Sequence, residues 1–416
     1  AGVLVLAVAM MKKGYRKVGG NLVFVRYITA CLTFGATLVA IVPTMSRAGW
    51  IGALAGVLLL YRKEIAGRIK INRRRVIGGG VMGLTVVLML FYLLKKDSAN
   101  GRLFIWQNTI TAYSKAPLFG VGIDGFGKAY AEAQHDYFVK ENALEQDNRY
   151  AELAGVVESA FNEPLALCLL LGATGGILAG MVLFFKLRRL TAYGCVVVSL
   201  LVASLFSYTF YIPSIAILFL FALAQLPDRK IRTARYANVL MFGMMGGVAL
   251  VADFQEFGHR EAYREWKEKS VYYTGEDYQS VVEAYGKFYP VLKHDFKFLF
   301  EYGHSLHKTG RYEESNAILK QGTEHSADPM FRNIMGNNYL ALKQYNYGAA
   351  AYLQAYYTCP NRVYPLYLLT KLEAGRGDTT MMNYYGHILL GKRPKVSSFA
   401  VDEMKFEIRK MLRTEP

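Results

Sequence analysis

Long apolar runs follow one another from residue 1 to about residue 253. They lie near 1–11, 27–43, 48–61, 76–94, 164–185, 193–209, 211–226 and 237–252. Several approach the ~20 residues with which a helix crosses ~30 Å of hydrocarbon. Elements this apolar are predicted to be helices, because lipid cannot satisfy an open strand edge. The run 48–61 is short, and 193–226 reads either as a hairpin of two spans or as one long tilted helix. The chain opens on Ala1 inside an apolar run. That run reads as the last part of a helix in an N-terminally truncated bundle. After residue 253 the pattern changes: residues 254–416 are polar, rich in Tyr and nearly balanced in charge. A period of 33–34 residues runs through them. Gly303, Tyr312 and Ser315 recur as Gly336, Tyr345 and Ala349 at that spacing, and Pro329 recurs as Pro360 after 31 residues. A degenerate third copy lies around 366–377, and a helix over 400–412 is predicted to cap the stack.

The predicted fold class is therefore all-α: a multi-span transmembrane helix bundle over 1–253, with 95–163 as its large outer loop, then a soluble α-solenoid over 254–416. In each repeat copy, small residues stand where two helices approach and aromatics fill the gap. This resembles tetratricopeptide repeats. Such solenoids bind a protein or peptide on a concave face, or act as packing spacers.

Composition and charge sharpen this picture. With 53% hydrophobic and 19% charged residues and a mean hydropathy of +0.17, the chain is too apolar to be disordered. The net charge of +17 taken alone suggests nucleic acid or an anionic membrane surface. Its placement decides between them. Segments 12–17, 62–75, 186–192 and 227–235 hold 18 Lys and Arg against only Glu64 and Asp228, whereas 95–163 holds seven basic and ten acidic residues. The positive-inside rule puts the first set in the cytoplasm. It puts 44–47, 95–163, the connection near Pro213 and everything after 237–252 outside. The excess is a topology signal, and the partner it implies is the bilayer, not nucleic acid. Cys31, Cys168, Cys195 and Cys359 are scattered without a CxxC, which excludes a disulfide framework and a zinc site. The sequence has no GxGxxG, no Walker sequence and no metal-binding set of acids, so no cofactor and no metal are expected.

A loop as long as 95–163 between two spans is usually functional. Topology puts Arg47, Arg102 and Arg149 on one side of the membrane. An arginine fork pairs two phosphate oxygens and stays charged near lipid. His135, Glu158 and Glu163 are candidates for a general base. Glu163 also suits the first turn of a helix. Gly172, Gly175, Gly176 and Gly180 read as helix-packing positions.

Three motifs then stand in order: Ser46-Arg47-x-x-Trp50; Arg102-Leu-Phe-Ile-Trp106 with the turn Pro117-Leu-Phe-Gly120-Val-Gly122; and Phe161-Asn162-Glu163-Pro-Leu165 before a span containing Leu171-Gly172. Over about 25–190 this resembles the O-antigen ligase and O-antigen polymerase family of bacterial integral-membrane glycosyltransferases. Residues 254–416 resemble the periplasmic extension that some members carry. The resemblance implies a multi-pass protein of the bacterial inner membrane with its C-terminal domain in the periplasm. It implies a glycan substrate carried on undecaprenyl diphosphate and no cofactor. Arg47 and Arg102 would stabilise the diphosphate leaving group, with His135 and Glu163 as further catalytic candidates. Arg149, Trp106, Asn162, Gly120 and Gly122 would bind substrate. A protein partner would dock on the 254–416 surface. The chain departs from the pattern at Phe161, where the family's ligases place a catalytic His before the Asn. The alternative is a non-catalytic membrane-anchored repeat scaffold that recruits partners for envelope glycan assembly. A transporter is a weaker third reading, since no acid or base stands plainly within the membrane between 76 and 252.

Overall fold

The computed structural model describes residues 1–14, 21–41, 46–68, 96–146, 148–226, 259–394 and 398–413. Every regular element among them is helical. The predicted spans 76–94 and 237–252 lie outside the described residues, as does the basic connector 227–235. The chain divides into two compact units. The first combines Ala1–Gly122 with Ser159–Ile231, and the second combines Ile123–Glu158 with Arg232–Pro416. The predicted loop 95–163 is thus shared, its two ends building with the first unit and its middle with the second.

In the first unit, helix Arg47–Leu60 lies close against helix Ala192–Ser204. A Cβ on Gly52 would stand 2.5 Å from the Ser199 carbonyl oxygen, and one on Gly56 would stand 2.8 Å from the Ser199 Cβ. Two glycines one turn apart therefore let the backbones approach. Val5, Cys195, Val196, Val197, Leu200 and Ala222 form the core beside them. Of the glycines read from sequence as packing positions, Gly172 alone is pressed against another segment's backbone; Gly175 faces its own helix's Leu171 and Gly180 faces open space. The run 193–226 is two helices, Ala192–Ser204 and Pro213–Ala224, separated by a 3-10 turn at Thr209–Tyr211. Proline opens the second, where its missing N–H costs nothing.

The connectors sort to the two ends of helix Arg47–Leu60. At one end Lys12 Nζ donates to the Leu60 carbonyl and pairs with Glu64, both at 2.8 Å, and Arg62 donates to the carbonyls of Leu59 and Leu190. At the other end Arg47 meets Ser98. Large apolar side chains face outward along these helices, among them Leu32, Val39, Leu54, Leu58, Leu178, Phe184 and Ile217. By length and composition, Glu163–Leu187 is the one helix among the described residues able to cross a membrane. The other apolar helices are shorter than the runs suggest: Arg47–Leu60 has 14 residues, Ala192–Ser204 has 13 and Pro213–Ala224 has 12.

Helix Glu163–Leu187 is broken at Gly172, whose φ of 68° and ψ of −171° leave the helical region. The break frees backbone groups on both sides, and the turn 117–122 takes them up. Val121 N donates to Leu169 O and Gly122 N to Leu170 O; Ala173 N donates to Pro117 O and Thr174 N to Leu118 O, all between 2.8 and 3.2 Å. A Cβ on Gly120 would stand 2.4 Å from Leu170 O, and one on Gly172 would stand 2.2 Å from Leu118 O. Both positions also need a positive φ, which glycine supplies without strain.

In the second unit, paired helices follow one another. Their second members start at Tyr278, Tyr312, Tyr345 and Thr379, which is 34, 33 and 34 residues apart. A Cβ on Gly303 would collide with Leu319, and one on Gly336 with Tyr352, so the same small-against-large contact recurs 33 residues on. The sequence period missed the first pair, formed by helical residues 259–274 and Tyr278–Leu292. Trp266, Tyr285, Phe298 and Leu299 bind that pair to the next. Helix Phe399–Arg413 covers the last pair, with Lys371 reaching Glu407 at 3.0 Å.

Segment 123–158 is built into this unit. Its helix Phe126–Lys140 packs on helix Tyr345–Thr358. Gln134 is fully buried between them; its amide donates to Thr358 O at 2.6 Å and to Gly155 O at 3.2 Å, and its oxygen accepts from the Tyr130 hydroxyl. Tyr356 donates to Ala143 O, and Asn361 donates to Ala154 O.

Candidate active site

The first unit gathers four connectors at one end: 46–47, 96–106, 160–163 and 206–210. Ser46 caps helix Arg47–Leu60, its Oγ accepting from Gly49 N, which fixes Arg47 in the first turn. There the helix's positive end adds to the guanidinium charge. Arg47 Nη2 lies 3.4 Å from Ser98 Oγ. Arg102 rises from helix Lys96–Lys115 and donates through Nη1 to the Phe206 carbonyl at 2.8 Å. Its guanidinium carbon stands 5.6 Å from the centre of the Phe161 ring. Burial, and after it the like charge of Arg47, lowers the Arg102 pKa below the usual guanidinium value, against an opposing pull from Tyr208. The two arginines therefore feel each other. An arginine stays charged nonetheless, so this corner carries two positive charges.

The backbone around Phe161 is special. Phe161 has a φ of 52°, in the left-handed region that non-glycine residues rarely occupy. Its amide donates to Ser159 Oγ, and its ring meets Tyr208 edge-on at 5.3 Å. Asn162 caps helix Glu163–Leu187 by accepting from Leu165 N at 2.9 Å. Glu163 Oε1 accepts from Phe210 N at 2.9 Å and so ties this corner to the 206–210 connection. Trp106 Nε1 donates to Ala160 O at 2.9 Å and anchors the same strand of chain from the other side.

Of the residues singled out in the sequence, the structure thus brings together Arg47, Arg102, Trp106, Asn162 and Glu163. Gly120 and Gly122 lie in the turn paired to the broken helix. Their conformations serve that pairing: Gly120 has no room for a side chain, while Gly122 at φ 86° faces open space. His135 and Arg149 belong to the second unit. His135 Nδ1 stands 3.3 Å from Asp136, and its ring meets Tyr357 edge-on. It lines a polar pocket with Lys128, Glu132, Glu324, Asp328 and Arg332. Arg149 is exposed and lies over the Tyr150 ring at 4.6 Å. Glu158 closes the same unit's segment. Sequence reasoning missed Tyr208, Ser98 and the Phe206 carbonyl. The only sequence signals for the 205–212 connection were Pro213 just after it and its position between two apolar runs.

Arg47 and Arg102 thus stand at one end of helices whose exterior is apolar. The sequence model of the O-antigen ligase family matches residues 32–179. That stretch holds Arg47, Arg102, the turn 117–122 and Phe161–Asn162–Glu163. It supports, at the level of the family, a glycan-processing membrane enzyme with a lipid-linked glycan substrate. No curated protein matches the chain as a relative.

Proposed function

We propose that this protein is a membrane glycosyltransferase that transfers or polymerises glycan from undecaprenyl diphosphate on the periplasmic face of the bacterial inner membrane. The single observation that carries this reading is that Arg47 meets Ser98 one helical turn from Arg102, inside the family-matched region. In the reaction an acceptor hydroxyl attacks the anomeric carbon of the lipid-linked sugar. The bond from that carbon to the diphosphate oxygen breaks, and the electron pair leaves on the diphosphate. Arg47 and Arg102 hold the charge that develops there, the kind of stabilisation that dominates many enzymes. The hydroxyl proton passes to a base. Glu163 stands in the same corner as Arg102 and is the candidate base.

The multi-pass arrangement rests on the sorting of connectors to opposite ends of helix Arg47–Leu60, with the basic set at the cytoplasmic end. The paired helices of 254–416 are read as tetratricopeptide-like. In this reading their first ligand is the chain's own segment 123–158, and a protein partner would take the surface that remains. Phe161 in place of a histidine favours a second reading, the non-catalytic scaffold. One experiment separates the two. Glycan transfer is measured in proteoliposomes with purified lipid-linked glycan and acceptor. Arg47→Ala and Arg102→Ala should each lower the rate by about 100- to 1000-fold. Transfer that survives both changes would remove the arginine mechanism and leave the scaffold.

A further inference from the structure

The turn 117–122 carries two large apolar side chains that its hydrogen bonds do not explain. Leu118 is 62% exposed and Phe119 is 77% exposed. In water, such a tip would be costly. Their neighbours on the broken helix are also outward and apolar: Leu171, Ile177, Leu178 and Met181. Part of the turn's backbone, by contrast, is engaged at the break. Its amides at 121 and 122 and its carbonyls at 117 and 118 are all paired with the helix, and Thr174 Oγ1 adds a bond to Leu118 O. Pairing to protein lowers the cost of non-helical backbone at membrane depth, and the outward side chains of this turn are apolar.

The depth follows from the helix. Lys186 is the first charged residue after Glu163 in this element. Counting ~20 residues back from it sets the outer edge of a ~30 Å hydrocarbon layer near Ala166. Gly172 then lies roughly 9 Å inside that edge, at 1.5 Å per residue. The turn paired to it lies at that level.

We infer that the turn 117–122 is a re-entrant element whose Leu118 and Phe119 insert among the acyl chains of the outer leaflet. Acyl chains are favoured over a protein groove because the tip is convex and continues the apolar exterior of helix Glu163–Leu187. The inference rests on the membrane reading given above, and its test keeps the two apart. In a cysteine-free background, Phe119→Cys and Leu178→Cys are each labelled with an environment-sensitive fluorophore, and Leu118→Cys serves as a second site on the turn. The proteins are reconstituted in phosphatidylcholine and phosphatidylglycerol vesicles. Quenching is then read with aqueous iodide and with lipids carrying a nitroxide high or low on the acyl chain. The expected result is that iodide reaches none of the three. The shallow nitroxide should quench positions 118 and 119 more than the deep one, and the order should reverse at 178. Iodide quenching at 118 and 119 with lipid quenching at 178 would overturn the insertion and leave the membrane reading intact. Iodide quenching at all three would overturn both. Shielding of 118 and 119 from iodide and lipid alike would show a protein covering the turn, which also overturns the inference.

Discussion

Arg102 is held by a carbonyl on one side and an aromatic face on another, so its fork is presented in one orientation. Phe161 therefore has a positive role that its place in the motif conceals. Read against the family pattern it is only a missing histidine; in the structure its ring lies under a guanidinium. A cation over a phenyl face at this separation contributes about 0.5–1 kcal/mol. Phe161→Leu should therefore weaken binding of the lipid diphosphate by roughly 2- to 5-fold, measured by titration in nanodiscs, with the protein still folded. An unchanged affinity would mean that the ring does not orient Arg102. Arg47 and Arg102 were legible in the sequence because each sits in a short motif after or before a span. Phe206 was not, because a backbone carbonyl acceptor leaves no mark on residue identity. Membrane side alone grouped Arg149 with Arg47 and Arg102, and Arg149 builds with the second unit.

At the scale of elements, six helices of the first unit were legible as apolar runs, and their lengths were not. The break at Gly172 stayed hidden because a glycine in an apolar run reads equally well as a packing site. Its true partner, Gly120, lies 52 residues earlier, and only the fold joins them. The repeat period was legible in 254–416 because small-against-large contacts recur at a fixed spacing. The docking of 123–158 was not, since it depends on Gln134, a residue with no periodic signature. Removing a buried amide that makes three hydrogen bonds leaves its partners unsatisfied, at about 1–3 kcal/mol. Gln134→Ala should accordingly speed amide hydrogen exchange in residues 126–140 about 5- to 100-fold, and leave exchange in helix Phe296–Lys308 unchanged. Equal protection in mutant and parent would show that Gln134 does not hold the segment.

At the scale of the whole molecule, the sequence alone separated an apolar N-terminal region from a polar, repeated C-terminal one. It drew the boundary once, near residue 253. The structure draws it three times, because the middle of the loop 95–163 joins the later unit while its ends frame the arginine corner. In the proposed function, Arg47 and Arg102 act together on one developing charge. Groups that act as a unit are strongly non-additive when removed. The direct test is a double-mutant cycle on glycan transfer in proteoliposomes with Arg47→Ala, Arg102→Ala and the two combined. The double variant should be scarcely slower than the slower single one. A double variant slowed by the product of the two single losses would show two independent contributions and contradict that joint action.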